Sequence, residues 1–317
     1  MMNSNIMPHA QLHNLVQPNS GMVFMICAML LLPVGDTFAK LLTDTLNPVG
    51  VTMWRMLAQA VFLLPLAVVL RKRLRGAMFS PVVALSGVLV VISLTSLIGA
   101  FSVMPIATAI AIFFVEPLIL TLLAGLLLGE HAGPRRLIAV GVGLIGAMIV
   151  IRPGFSTYGW STLLPLLSAL AYALNMILLK KASKTRSTLT MQCGTTIYAA
   201  VILLGIAIVL QLVGFDGLVV PATDLKSWSL IACAGACAAT SFLLVGEAYR
   251  QSDATALAPF QYFEIITATA LGFLIFGDFP DTLTWIGVGI ILGSGIYIFH
   301  REGQTNTSAP RRKRGAH

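Results

Sequence analysis

Ten long apolar stretches, separated by short polar segments, run along most of the chain. Each is about 18–23 residues long, the length that an α-helix needs to cross the hydrocarbon core of a bilayer. The pattern therefore predicts an all-α integral membrane protein with ten transmembrane helices. We place these helices at about 21–42, 48–70, 81–101, 104–127, 134–151, 160–180, 190–213, 227–249, 254–276 and 283–300.

Two of the stretches repeat one another, at residues 107–130 and 254–278. Both open with Ala-Thr-Ala, both carry a single glutamate within an apolar run (Glu116 and Glu264), and both close with glycine and an acid. The two glutamates are 148 residues apart, which is too long a period for a solenoid. The repeat therefore indicates a duplicated half made of membrane helices, as in secondary transporters.

The basic residues lie mainly on one predicted side of the membrane. If both termini are cytoplasmic, 16 of the 20 Lys and Arg residues fall in inner segments, and only Arg152 and Lys226 fall in outer ones. Lys40 and Arg55 lie within helices. Since cytoplasmic loops are enriched in Lys and Arg, this distribution predicts cytoplasmic termini. Five helices are an odd number, so the second half must be inverted relative to the first.

The expected organisation has four parts. A polar N-terminal tail, 1–20, precedes a first five-helix repeat, 21–154. A second five-helix repeat, 155–300, is followed by a basic cytoplasmic tail, 301–317. The polar N-terminal residues lack Lys and Arg, so we interpret the first apolar stretch as a retained helix rather than a signal peptide.

The composition excludes several classes of function. Apolar residues make up 57% of the chain and charged residues only 10%, whereas soluble proteins have about 25% charged residues. The net charge of +8 is explained by the loops and tail, so nucleic acid is not an expected partner. The five histidines and four cysteines form no metal-ligand pattern, and no Gly-x-x-x-x-Gly-Lys-Ser/Thr loop is present. We expect no cofactor, no bound metal and no enzymatic activity; an intramembrane lipid-modifying enzyme is a remote alternative.

A series of short motifs recurs along the chain in a fixed order: Asn47-Pro48, Arg55, Met104-Pro105-Ile106-Ala107-Thr108-Ala109, Glu116-Pro117, Gly129-Glu130, Gly141-x-Gly143-x-x-Gly146, Arg152-Pro153-Gly154, Ala254-Thr255-Ala256, Gly277-Asp278 and Gly287-x-Gly289. By these residues the chain resembles the EamA type of the drug/metabolite transporter superfamily over roughly residues 21–300. In the second half Asp278 replaces the usual glutamate, and Pro259 lies upstream of the position that matches Pro117. The first half is most similar to a branch that includes S-adenosylmethionine and riboflavin carriers. The resemblance implies a carrier in the cell inner membrane.

Ionisable residues within membrane helices are costly and are the first candidates for function. Asp36 and Lys40 are four residues apart on one helix, so they either neutralise each other or present one face to the substrate. Arg55 either lines the cavity or extends its side chain to the outer interface. Glu116 and Glu264, near mid-depth, are either neutral packing groups or sites that couple transport to protons.

Aromatic and amide residues near these positions suit a flat heterocyclic substrate, although ordinary packing explains any one of them equally well. The candidates are Phe114, Tyr172, Asn175, Gln261 and Tyr262. The glycine pairs Gly125/Gly129 and Gly289/Gly293 are expected to bring helices close together.

The sequence therefore predicts a secondary carrier that moves a small organic metabolite by alternating access. Uptake of a vitamin-like heterocycle such as riboflavin is the preferred hypothesis. Proton-coupled export of amino acids or drugs is the alternative, and a homodimer is left open. The expected partners are the lipid bilayer, the small-molecule substrate and, where transport is coupled, protons.

Overall fold

The computed structural model describes residues 19–129, 133–251, 257 and 260–307, without the side chains of 19, 20, 136, 152–154 and 298–307. All regular elements in this part of the chain are helical. We number the α-helices in chain order: α1 Asn19–Leu42, α2 Pro48–Val69, α3 Pro81–Phe101, α4 Ile106–Phe113, α5 Glu116–Leu128, α6 Pro134–Tyr158, α7 Leu164–Ala182, α8 Thr188–Leu212, α9 Leu225–Gln251, α10 Phe263–Leu271 and α11 Thr282–Thr307. A single π-helical turn, Gly272–Phe276, extends α10.

The helices occupy the ten positions that hydropathy predicts. Seven stretches are long and apolar enough to cross a membrane, and one of them, Ile106–Leu128, comprises α4 and α5 together. Three shorter apolar helices, Leu137–Ile151, Phe263–Phe276 and Thr282–Tyr297, occupy the other positions. The prediction of an all-helical membrane protein is confirmed. The two predicted tails lie largely outside the described residues, as do Glu130, Pro259 and the Ala-Thr-Ala segment at 254–256.

Polar caps and prolines explain where several helices begin. Asn47 precedes α2, and its side-chain oxygen accepts a hydrogen bond from the Gly50 backbone N–H at 2.9 Å. Ser187 caps α8 in the same way through the Thr190 N–H, at 3.3 Å. Such caps satisfy backbone donors that have no partner within the helix. Both caps also contact a loop of the other half: the Asn47 N–H donates to the Gly217 carbonyl, and the Ser187 N–H to the Arg75 carbonyl.

The helices of residues 21–154 interlock with those of residues 155–300. α1 packs along α9 and α10, and α7 packs along α3 and α5. α2 contacts both α8 and α9, and α3 contacts both α7 and α8. α6 packs along α11. Most of the buried surface between helices is therefore shared by the two halves, and the centre of the bundle lies between them.

Close helix approach occurs at glycines other than the expected ones. α6 and α11 meet at Gly146 and Gly287, where a Cβ atom on Gly287 would lie 2.7 Å from the Gly146 carbonyl oxygen. By contrast, a Cβ atom on Gly289 or Gly293 would meet no atom within 4 Å. Gly129 ends α5 with a left-handed φ of 68°. The expected packing role is thus wrong for these three residues, because Gly289 and Gly293 face no neighbouring helix within the described part of the chain and Gly129 is a C-terminal cap.

Candidate functional site

Glu116 and Glu264 each lie in the first turn of a short helix, α5 and α10, that packs into the main hydrophobic core of the bundle. The span that contains α4 and α5 is interrupted after Phe113, and Glu116 is the first residue of α5. Pro117, at the second position of α5, has no N–H to continue the preceding helix, which accounts for the break. In the other half, Glu264 lies in the first turn of α10, directly after a turn at Tyr262. The interruption is slight, because Phe114 and Val115 have φ/ψ angles of −65°/3° and −68°/−17° and the whole stretch Ile106–Leu128 remains one apolar span.

Each glutamate lies at the positive end of a helix dipole, because each is in a first turn. In the described part of the chain, neither carboxyl group has an ion-pair partner, and Oε1 of Glu116 is buried without a hydrogen bond. A polar atom buried in this way is costly unless a ligand or a proton satisfies it. The Glu116 carboxyl group is therefore available to a ligand or a proton that is not part of the described chain.

Aromatic side chains from both halves lie in the same region as the two glutamates. Glu116 lies within electrostatic range of the hydroxyl groups of Tyr172, Tyr249 and Tyr262, and Glu264 within range of that of Tyr172. The Phe113 and Tyr172 ring centroids are 5.7 Å apart. The ring centroids of Phe114 and Tyr262 are 5.6 Å apart. Three of the predicted aromatic candidates, Phe114, Tyr172 and Tyr262, therefore lie near the turn between α4 and α5. We call Phe114, Tyr172, Tyr262 and the two glutamates the central cluster.

The sequence did not identify Tyr249 on α9, whose hydroxyl lies within electrostatic range of Glu116 although the residue is 43% exposed. Two residues earlier on the same helix, the Glu247 carboxylate accepts hydrogen bonds from Arg250 and Gln251. One tyrosine at a helix end carries no signal in a single sequence, since its neighbours come from other helices.

Asp36 and Arg55 form a buried ion pair between α1 and α2. Arg55 Nη1 donates to Asp36 Oδ1 at 2.8 Å, and the two residues are only 3% and 4% exposed. Arg55 therefore does not extend to the interface, which was one of the two predictions for it. Asp36 lies within electrostatic range of Glu264, so the pair borders the central cluster.

Lys40 has a different partner from the one its spacing suggests. Its Nζ donates to Asp278 Oδ2 at 3.2 Å and to the Met104 carbonyl at 3.1 Å, and it lies 4.6 Å from the centroid of the Phe276 ring. The proposed Asp36–Lys40 pair on one helix is thus wrong, because each side chain reaches a closer partner on a neighbouring segment. Lys40 instead links α1 to the segment before α4, which contains Met104, and to the segment before α11, which contains Asp278.

The two amide candidates are satisfied elsewhere. Asn175 is buried, and its Oδ1 accepts a hydrogen bond from Ser86 Oγ at 2.5 Å; Ser86 in turn contacts Thr195 Oγ1 at 2.9 Å. This network connects α3, α7 and α8. Gln261 Nε2 donates to the Tyr249 hydroxyl at 2.6 Å on an exposed side of the bundle. Among the described residues there is no group of three or more His, Cys, Asp or Glu that could hold a metal ion.

Comparisons with known proteins agree with this architecture. The sequence profile of the EamA-like transporter family matches residues 19–152 and again residues 159–299. An S-adenosylmethionine uptake transporter of Rickettsia prowazekii is 25% identical over 289 residues, covering 91% of this chain and 95% of that protein. A riboflavin transporter of Rhizobium johnstonii is 30% identical over 215 residues, covering 68% of each. One solved crystal structure of a protein aligns with 92% of this chain and over its own full length, with a TM-score of 0.61 and 15% sequence identity. This similarity concerns the fold alone.

Proposed function

Because the chain belongs to the EamA-like transporter family, as a multi-pass protein of the cell inner membrane, we propose that it is a secondary carrier that takes up a small heterocyclic metabolite by alternating access. The observation that carries this proposal is the pair of helix starts at Glu116 and Glu264, one in each half, beside rings of Phe114 and Tyr262 whose centroids are 5.6 Å apart. Discontinuous helices near the midplane are where secondary transporters place their substrate and coupling ion.

An inverted 5+5 repeat, with both termini cytoplasmic, is part of the proposal. The family profile matches the chain twice, and the pattern of helix packing is nearly unchanged when the first and second halves are exchanged. The contact of α1 with α9 then corresponds to that of α7 with α3, and the contact of α1 with α10 to that of α7 with α5. Such symmetry supports the rocking of two similar halves around one central site.

The aromatic side chains support a flat, vitamin-like substrate. Phe114, Tyr172 and Tyr262 offer ring faces beside polar groups, an arrangement that suits a heterocycle with polar substituents. Riboflavin is therefore the first compound to test, and the name of the Rhizobium relative points to the same chemistry. S-adenosylmethionine is the second, since it also contains a flat heterocycle and names the Rickettsia relative.

Glu116 and Glu264 are proposed to couple this movement to protons. Each is in the first turn of a half-helix, and Glu116 Oε1 is buried without a partner in the described chain, so a proton is a natural ligand for it. Facilitated diffusion becomes the simpler account if neither glutamate carries a proton. A homodimer remains compatible with the fold, and the experiments below do not depend on it.

Transport by purified protein in liposomes tests the function. Without ATP, the vesicles should accumulate or exchange labelled riboflavin or S-adenosylmethionine faster than protein-free vesicles do. Rescue of an auxotroph at low external substrate would support uptake, whereas increased tolerance to a toxic analogue would indicate export. No flux or exchange with flavins, nucleosides, S-adenosylmethionine or amino acids would contradict the proposal.

A further inference from the structure

Two segments on the predicted cytoplasmic side carry a high density of positive charge. Residues 71–75, just after α2, contain four Lys or Arg residues, and residues 180–186, which include the end of α7 and the loop to α8, contain another four. The surrounding stretches of the chain, 45–115 and 131–215, contain no Asp or Glu. Because the two segments belong to different halves, only the tertiary structure shows whether they meet.

Hydrogen bonds hold the two segments against each other. The Arg75 backbone N–H donates to Thr190 Oγ1 at 2.9 Å, and the Arg75 carbonyl accepts from the Ser187 N–H at 3.1 Å. Gly76, with a φ of 81°, allows this approach, since a Cβ atom there would lie 2.5 Å from the Thr185 carbonyl oxygen. Residues 71–75 and 180–186 therefore share one surface, which we call the basic face.

The basic face keeps a net positive charge. Arg186 Nε donates to the Ala77 carbonyl at 3.0 Å, a neutral acceptor that leaves the charge of the guanidinium in place. The Glu247 carboxylate, near the end of α9, lies 3.9 Å from Arg73 Nη1, but it also accepts hydrogen bonds from Arg250. A carboxylate shared in this way cannot balance eight basic residues, so the surface attracts anions.

Exposed apolar side chains border the basic face. Val68 and Val69, at the end of α2, are 71% and 76% exposed, and Phe79, two residues before α3, is 65% exposed. The Phe79 ring packs against Tyr198, with centroids 6.1 Å apart. At the end of a membrane helix such side chains contact acyl chains, while the basic residues beside them lie at the level of the lipid phosphates. This combination matches a molecule that has both an anionic headgroup and apolar chains.

We propose that the basic face binds an anionic phospholipid of the inner leaflet. The lipid phosphate contacts Lys and Arg side chains of both segments, and the acyl chains lie along Val69 and Phe79. Clusters of basic residues beside membrane helices bind anionic headgroups through such contacts. Since the two segments come from different halves, the bound lipid bridges the halves on one side of the membrane and stabilises the folded protein. The inference is independent of the identity of the transported substrate.

Native mass spectrometry of the detergent-solubilised protein measures this binding. Phosphatidylglycerol should bind about tenfold or more tightly than phosphatidylcholine with the same acyl chains. A variant that loses two basic residues from each segment should reduce this preference to about threefold or less. The variant is Arg71→Gln/Lys72→Gln/Lys181→Gln/Lys184→Gln, which keeps Arg75 and Arg186 in contact with the opposite segment.

A control variant removes the same number of positive charges from the predicted cytoplasmic tail. It is Arg311→Gln/Arg312→Gln/Lys313→Gln/Arg314→Gln. This variant should keep the preference of the native protein for phosphatidylglycerol. If it loses the preference as fully as the first variant does, charge anywhere on that side suffices and the inference is overturned.

Equal affinity of the native protein for the two lipids would also overturn the inference. Displacement of phosphatidylglycerol by inorganic phosphate would show that the surface binds a soluble anion instead of a lipid. If size-exclusion profiles show that the fourfold variant does not fold, two double variants decide: Arg71→Gln/Lys72→Gln and Lys181→Gln/Lys184→Gln should each lower the preference about threefold. An unchanged preference in both would contradict the lipid site. Flux in liposomes tests the carrier separately, so either result can fail without the other.

Discussion

The membrane helices contain two kinds of charged residue. Those with an ionic partner stabilise the packing of the helices, whereas those without one are available for transport. Asp36 and Arg55 are nearly inaccessible and hold each other at 2.8 Å. Glu116 and Glu264, at a similar depth in the predicted spans, have no ionic partner in the described chain. A charge with a permanent partner stabilises one arrangement of helices, whereas one without a partner is free to bind a substrate or a proton. Substitutions at the two kinds of site should therefore have opposite signatures.

The largest loss of stability is expected from breaking the buried pair. Arg55→Leu leaves the Asp36 carboxylate buried without a counter-charge, which typically costs about 3–5 kcal/mol. The variant should yield little folded protein, or should unfold at a much lower temperature when solubilised in detergent. The double variant Asp36→Leu/Arg55→Leu removes both charges and should recover most of the stability. If the single and double variants are equally unstable, the pair contributes through packing rather than through charge.

The central glutamates should behave in the opposite way. Glu116→Gln and Glu264→Gln remove a carboxyl group that has no partner, so stability should stay within about 1 kcal/mol of the native protein or increase. Transport driven by a pH gradient should fall by about tenfold or more, a change of about 1.4 kcal/mol in free energy. Fluorescence-detected thermal unfolding and liposome flux measure the two effects on the same preparation. Full gradient-driven transport in both variants would remove these residues from coupling.

The sequence was sufficient for the overall fold because the bilayer imposes it. A chain must satisfy its backbone hydrogen bonds within the membrane, so ten apolar stretches of adequate length become ten helical segments. Even the break before Glu116 has a local cause in Pro117. The ends of the helices are predicted less accurately than their positions: α6 runs to Tyr158, seven residues beyond the predicted end of that helix at residue 151.

The partners of the charges could not be predicted in the same way. Asp36 and Lys40 share a helix face by spacing, yet Asp36 contacts Arg55 on α2 and Lys40 reaches Asp278, 238 residues away. The arrangement of α1 against α2, α9 and α10 decides these contacts, and it depends on tertiary packing. For the same reason Asn175 and Gln261 looked equivalent in sequence, although one is buried in a network between three helices and the other lies at an exposed edge.

The Lys40–Asp278 pair should show an intermediate effect, because its side chains are 14% and 33% exposed. Lys40→Asp places two carboxylates together and should slow transport several-fold. The reversed pair Lys40→Asp/Asp278→Lys should recover part of the rate, with a coupling energy of about 1 kcal/mol, as expected for a partly exposed pair. A double-mutant cycle on initial transport rates measures this. Rates that combine additively would show that the two residues act independently.

The smallest effect is expected at Gln261, although it was a candidate for substrate binding. Its amide already donates to the Tyr249 hydroxyl at 2.6 Å, on an exposed side where water can replace either group. Gln261→Leu should therefore change the KM for transport by less than about twofold, since an exposed hydrogen bond contributes little net free energy. Tyr172→Leu, which removes a ring that packs 5.7 Å from Phe113 beside the start of α5, should increase KM several-fold. If Gln261→Leu has the larger effect on KM, the substrate binds at the exposed edge beside Tyr249 rather than near Glu116 and Glu264. In that case the contrast between polar groups with and without a partner does not identify the substrate site.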